Sequence, residues 1–332
     1  GAIVGQNCGH GAQIADGSNT FVSYTSLGEN LYATTGKYVG ILGVDYEHEK
    51  IYTPAELSLC NQILINYWNS GGLITVNWSP HNPWLNDETD IINHPGVWTD
   101  TRSYDTAGQY NLTNVDLTKL VDPNDPIRKV WLRKLDRIAA ALLELKNAGV
   151  VVLWRPMQEM NGDWFWWGYT KNPDNPDAYK NVFIDMYNYF TNVKGLNNLL
   201  WVYSPASTGS KSFSWDYPGG QYVNVVAVTA YNDNLSVSCY QEMTSFNRPM
   251  AMAEYGGADN PTTQASGSFD NRKYINVIQT SYPMFAYFVC WHNWDNGGGN
   301  YVYHSINRNI YPSELMNNSN VITREKLNWT SY

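Results

Sequence analysis

Eight apolar runs, each the length of one strand, recur along this 332-residue chain, and no other feature restricts its fold so tightly. They are AIVGQ (2–6), YVGILGVDY (38–46), LITVNW (73–78), VVVLW (150–154), LLWVYS (199–204), VVAVTAY (225–231), PMAMAEY (249–255) and FAYFVCW (285–291). Most are continuous in apolar character rather than alternating, which marks strands covered on both faces, as in a parallel sheet. Helical patterns fall between several of them. Residues 54–72 start with Pro54 and stop at Gly71. Residues 125–149 place Ile127, Trp131, Leu135, Ile138, Leu142 and Leu145 three or four apart, with Asp125 as cap, Pro126 in the first turn and Gly149 at the end. A third helix is expected over 176–193. Eight strands with intervening helices fit a closed parallel α/β barrel, the (β/α)8 or TIM barrel. An open doubly wound sheet fits less well, because no glycine-rich phosphate turn follows the first strand. No linker or change of composition divides the chain, so residues 1–332 read as a single domain.

In such a barrel the side chains just beyond the strand ends form the active site. Two carboxylates stand there: Glu159 follows the fourth strand, and Glu254 ends the seventh. Two glutamates across one barrel mouth can flank a glycosidic bond, one giving a proton to the leaving oxygen and the other attacking the anomeric carbon. An isolated Glu is more often a solvated charge or an ion-pair partner. Both of these lie at strand ends among aromatics and glycines, which favours the catalytic reading. Residues 79–125, rich in Asn, Asp, Thr and Pro, form an unusually long connection after the third strand. Such loops are often functional, and this one belongs at the C-terminal face.

Composition points the same way. Aromatic residues reach 14 %, nearly matching the 15 % that are charged, with 14 Trp and 25 Tyr. Barrel interiors prefer branched aliphatics, so many of these rings are expected to line a surface groove, where indoles and phenols stack on the flat C–H faces of sugars. Trp164, soon after Glu159 in the run Trp164, Phe165, Trp166, Trp167, is the expected wall of the sugar site; at least one of its neighbours should pack under the loop instead.

A net charge of −9 without any basic run excludes a nucleic-acid partner, and no apolar stretch is long enough for a membrane span. The six histidines form no HExxH-like motif and the four cysteines no CxxC pair, so no metal or other cofactor is expected. Cys290 reads as a buried thiol, and Cys8 with Cys60 as a possible bridge. Glycosylation triplets begin at Asn111, Asn234, Asn317 and Asn328. The N-terminal residues lack signal-peptide character, so any such peptide is expected to have been removed already.

The stretch RPMQEMNGDWFWWG, together with AEYGG, resembles glycoside hydrolase family 26, the β-mannanase family of the retaining clan A enzymes. The resemblance covers nearly the whole chain. It implies an acid/base at Glu159, a nucleophile at Glu254, and substrate contacts at Trp164, at His81 in WSPHNP, at Tyr231, and at Trp291, which would floor the sugar site. One position departs from the family, whose usual His before the acid/base is Gln158 here. A carboxamide, like a neutral imidazole, can donate one hydrogen bond to a sugar hydroxyl or near the nucleophile. The implied activity is endo-acting hydrolysis of β-1,4-mannosidic bonds in mannan, glucomannan or galactomannan by a secreted monomer. A β-1,3-xylanase or mixed-linkage β-glucanase on the same framework remains open, as does an inactive sugar-binding barrel; retention of both glutamates argues against the last.

Overall fold

Every one of the eight apolar runs forms a strand. In the computed structural model, which describes residues 1–104, 114–257 and 265–329, these are β1 (Ala2–His10), β2 (Ile41–Asp45), β3 (Leu73–Trp78), β4 (Val152–Pro156), β5 (Leu199–Tyr203), β6 (Val225–Tyr231), β7 (Met250–Gly256) and β8 (Phe285–Cys290). Each pairs in parallel with the next, and β8 returns to β1, with Ile3 opposite Tyr287 and Gln6 opposite Cys290. The sheet is a closed (β/α)8 barrel. A small hairpin, β9 (Trp294–Asp295) with β10 (Tyr301–Val302), rises beyond β8, and β11 (Val321–Ile322) adds to β1 from outside.

Helices follow seven of the eight strands: α1 (Asn30–Thr35), α2 (Pro54–Asn69), α3 (Ile127–Asn147), α4 (Asp177–Asn188), α5 (Tyr240–Met243), α6 (Arg272–Ser281) and α7 (Pro312–Met316). The link from β5 to β6 carries none. Thr53 opens α2 with a reciprocal capping box, its side chain accepting from the Glu56 N–H while the Glu56 carboxylate accepts from the Thr53 N–H. The Asp125 carboxylate accepts from the Ile127 N–H at 3.0 Å, as expected for the start of α3. Strand β1 runs on past Gln6 because Asn7 to His10, although mostly polar, are buried and paired near the barrel mouth.

The barrel interior is layered. Ile41, Val202, Val225, Ala227, Ala251, Ala253, Tyr287 and Val289 make an apolar plug. One strand period higher, the inward positions become polar, with Arg155 beyond Leu153 and Thr229 beyond Ala227. In β7 the pairing skips a residue: Val228 faces Met252, and Thr229 then faces Glu254. This bulge lets Ala253 and Glu254 both serve the interior, where strict alternation would have turned Glu254 outward.

The aromatic excess has a different home from the one expected. Trp78, Trp131, Trp154, Trp166, Trp167 and Trp201 are essentially fully buried between the strands and their covering helices and loops. Outward-facing strand positions need bulky apolar partners there, and indole fills that layer efficiently. Cys8, Cys60 and Cys290 are buried free thiols, so the possible Cys8–Cys60 bridge is absent. Asn234, Asn317 and Asn328 are exposed; Asn111 lies outside the described residues.

Candidate active site

Where β4 ends, the backbone makes a tight left-handed turn, with φ of 48° at Met157 and 60° at Glu159. Neither is glycine, so each position costs on the order of 1 kcal/mol. Buried rings hold the turn in place. The Tyr179 hydroxyl donates to the Met157 carbonyl at 2.9 Å, the Trp167 indole to the Gln158 carbonyl at 2.8 Å, and the Glu159 N–H donates to the Ser204 carbonyl at 2.8 Å. Phe165 stacks on Trp167 at 4.3 Å, and Trp166 donates to the Pro80 carbonyl. Three of the four clustered aromatics therefore scaffold the turn that aims Glu159.

Trp164 is the fourth. It stays half-buried and donates its indole N–H to Glu159 Oε2 at 2.5 Å. Gly162 is required beneath it, since a Cβ there would land on the indole ring. The long β3 loop clamps this arrangement: the Ser103 N–H donates to the Trp164 carbonyl at 2.9 Å, and its hydroxyl donates to the Asp163 carbonyl at 2.5 Å.

Glu254 sits in a different setting. Arg155, with no exposed surface, donates to Glu254 Oε2 at 2.7 Å, to Ser204 Oγ at 2.8 Å and to Thr229 Oγ1 at 2.5 Å. The Tyr231 hydroxyl donates to Glu254 Oε1 at 2.5 Å. Both carboxylate oxygens thus accept short hydrogen bonds. Glu159 is pushed up to about 7, first by burial and then by the nearby charge of Glu254. The site thus holds two carboxylates in different settings, one buried against an indole N–H and one held by an arginine and a tyrosine.

Among the remaining expected residues, Trp291 lies at the end of β8 with 7 % of its surface exposed, its backbone N–H on the Tyr255 carbonyl. Gln158 is buried beside the acid. Its amide donates to Ser79 Oγ at 2.7 Å, and that hydroxyl donates onward to Asp45 at 2.5 Å. Gln158 Oε1 has no partner among the described residues. His81 is fully enclosed, with Nδ1 2.9 Å from Glu47 Oε1, and its Nε2 has no partner among the described residues. It anchors the β3 loop. Sequence reasoning also missed residues that the site uses. Arg155 carried a legible signal, a cation inside an otherwise apolar strand. Trp294, whose ring lies 6.5 Å from Tyr231, and His304, 5.1 Å from it, had none.

The family model for glycosyl hydrolase family 26 matches residues 7–326. The chain belongs to that family. Family 26 relatives include the mannan endo-1,4-beta-mannosidase of Bacillus subtilis, 37 % identical over 83 % of this chain and 73 % of its own length. Mannan endo-1,4-beta-mannosidase A and B of Caldalkalibacillus mannanilyticus is also 37 % identical, over 89 % of this chain; the match spans only 53 % of that longer relative. The solved structure of Bacillus subtilis mannanase man26 superposes with a TM-score of 0.75 at 28 % identity, covering 97 % of this chain and 86 % of that one. This family 26 chain is thus a glycoside hydrolase with the barrel its sequence indicated. No helix among its described residues is long and apolar enough to cross a membrane.

Proposed function

We propose that this chain is a retaining, endo-acting β-1,4-mannanase, with Glu159 as acid/base and Glu254 as nucleophile. The observation that carries this reading is the setting of the pair: Arg155 and Tyr231 each donate to one oxygen of Glu254, while burial keeps Glu159 protonated up to about pH 7. Glu159 passes its proton to the glycosidic oxygen as Glu254 attacks the anomeric carbon, which breaks the bond and leaves a glycosyl ester on Glu254. The Glu159 carboxylate then takes a proton from water, the hydroxide attacks the same carbon, and Glu254 departs as carboxylate. Two inversions give retention.

Mannan as substrate is supported by the relatives at 37 % identity, which are mannan endo-1,4-beta-mannosidases. Trp164 and Trp291 are assigned as apolar sugar contacts, Tyr231 as the residue orienting Glu254, and Gln158 Oε1 as a free acceptor for a sugar hydroxyl. Secretion and a monomeric state accord with a polymeric substrate that must be met outside the cell. The test is the release of reducing ends from mannan, xylan and lichenan by one protein sample. Release from mannan, with a fast fall in viscosity, is expected. Release only from xylan or lichenan would overturn the substrate assignment, and no release from any would overturn the enzyme.

A further inference from the structure

Histidines separated in the chain converge at the barrel mouth where β1 and β2 end. His10 closes β1, and His48 and Glu49 lie in the loop after β2. His10 Nδ1 is 3.7 Å and His48 Nδ1 is 3.9 Å from Glu49 Oε1, and the ligand-type atoms of the three all lie within 4.8 Å of one another. These separations are too long for hydrogen bonds, so the three groups surround a common point without satisfying each other. His48 Nδ1 is buried and has no partner among the described residues. The His48 backbone is held at φ 55°, a left-handed conformation that carries local strain.

We infer that His10, His48 and Glu49 form a binding site for one divalent transition ion of the zinc type. Two imidazoles and a carboxylate with an open fourth position for water suit Zn2+, which prefers nitrogen and oxygen ligands in a tetrahedral arrangement. Zinc–ligand bonds of ~2.0–2.1 Å place tetrahedral ligand atoms about 3.4 Å apart, so the two His–Glu separations need close by only a few tenths of an ångström. The imidazoles now stack nearly parallel, with centroids 4.8 Å apart and planes 14° apart, so one ring must turn for both lone pairs to converge. That turn is what the ion would drive. Burial also lowers the pKa of both histidines, keeping their rings neutral and ready to ligate.

The ion would brace the rim rather than take part in bond cleavage. His10 packs edge-on to His292 at 4.4 Å, and His292 lies against Trp291 at 4.8 Å, so an ion at this point stiffens the wall behind the expected sugar floor. No zinc-dependent step in glycoside cleavage is implied.

The test uses the full chain after chelator treatment, titrated with Zn2+ alone by calorimetry and followed by thermal melting. One ion per chain should bind in the micromolar range and raise Tm by several degrees. His48→Asn, which suits the left-handed backbone, and Glu49→Gln should each weaken binding at least tenfold. Exposed His94 lies outside the cluster, so His94→Ala should bind as the wild type does. If either ligand variant fails to fold, its partner variant decides. Absence of binding at 100 µM Zn2+, tight binding that survives both substitutions, or binding lost only with His94 would overturn the site. None of these readouts depends on glycosidase activity.

Discussion

At the residue scale, the proposed division of the chemistry between the two glutamates is testable. With Glu159 pushed to about 7, kcat/KM should fall as pH rises through about 7, because the acid then loses the proton it must donate. The Trp164 N–H stabilises the Glu159 carboxylate and so lowers its pKa from what burial alone would give. Trp164→Phe should therefore move the alkaline limb of the pH–rate profile upward; an unmoved limb would mean that this hydrogen bond is not present in solution. Glu254→Ala should be nearly inactive on every substrate, and Glu159→Ala should be poor on mannan yet keep activity on aryl mannosides whose leaving group needs no proton. Azide should speed Glu159→Ala with retained configuration; a retained azide product from Glu254→Ala, with none from Glu159→Ala, would reverse the roles. Glu159 also carries a stability cost. Its folded pKa lies above its ordinary value of 4.5, so the folded state binds the extra proton and loses stability as pH rises from about 4.5 to 7. Glu159→Gln should consequently melt a few degrees above wild type at about pH 8, with the gap closing near pH 5.

At the element scale, strands and helices were legible where burial leaves a simple pattern. The third and sixth strands match the apolar runs LITVNW and VVAVTAY residue for residue. The helices around α2 and α3 followed from their caps and apolar spacing. What escaped notice follows from polar chemistry inside the barrel. The last residues of β1 read as loop because their partners come from the other end of the chain, as with His292 Nδ1 on Asn7 Oδ1 at 2.8 Å. The β7 bulge has no local signature, yet it turns Glu254 inward. The strand-end positions of Glu159 and Glu254 were legible because strand ends could be counted, whereas Arg155 shows only as a cation in an apolar strand until its three partners, from β6, β7 and the β5 exit, are known. The long β3 loop depends on a buried ion cluster of the same non-local kind. Glu88 accepts from Lys134 Nζ at 2.9 Å and from Arg137, and Arg137 also reaches Glu47, which holds His81. Glu88→Ala would leave Lys134, with no exposed surface, unpaired beneath the loop. A loss of about 3–5 kcal/mol is expected, read as a fall in the urea midpoint. The same variant should lower kcat/KM, since that loop also secures Trp164. Unchanged stability would show that the cluster is not buried in solution.

At the scale of the whole molecule, charge and substrate are expected to be decoupled. The chain carries −9, but mannan is neutral, so no long-range field steers the encounter. Raising salt from about 20 to 200 mM should change kcat/KM on mannan less than twofold, and a steep dependence would indicate a charged polymer instead. The fold supplies a rigid barrel with an apolar plug below and a polar mouth above, and all the reactive groups stand on that mouth. The central claim is that Glu254 becomes covalently glycosylated during each turnover. It is tested most directly by inactivating the protein with a 2-fluorinated β-manno-oligosaccharyl fluoride and sequencing the digested peptides by mass spectrometry. A single glycosyl adduct on Glu254 is predicted; an adduct on Glu159, or turnover with no adduct and an inverted first product, would contradict the account.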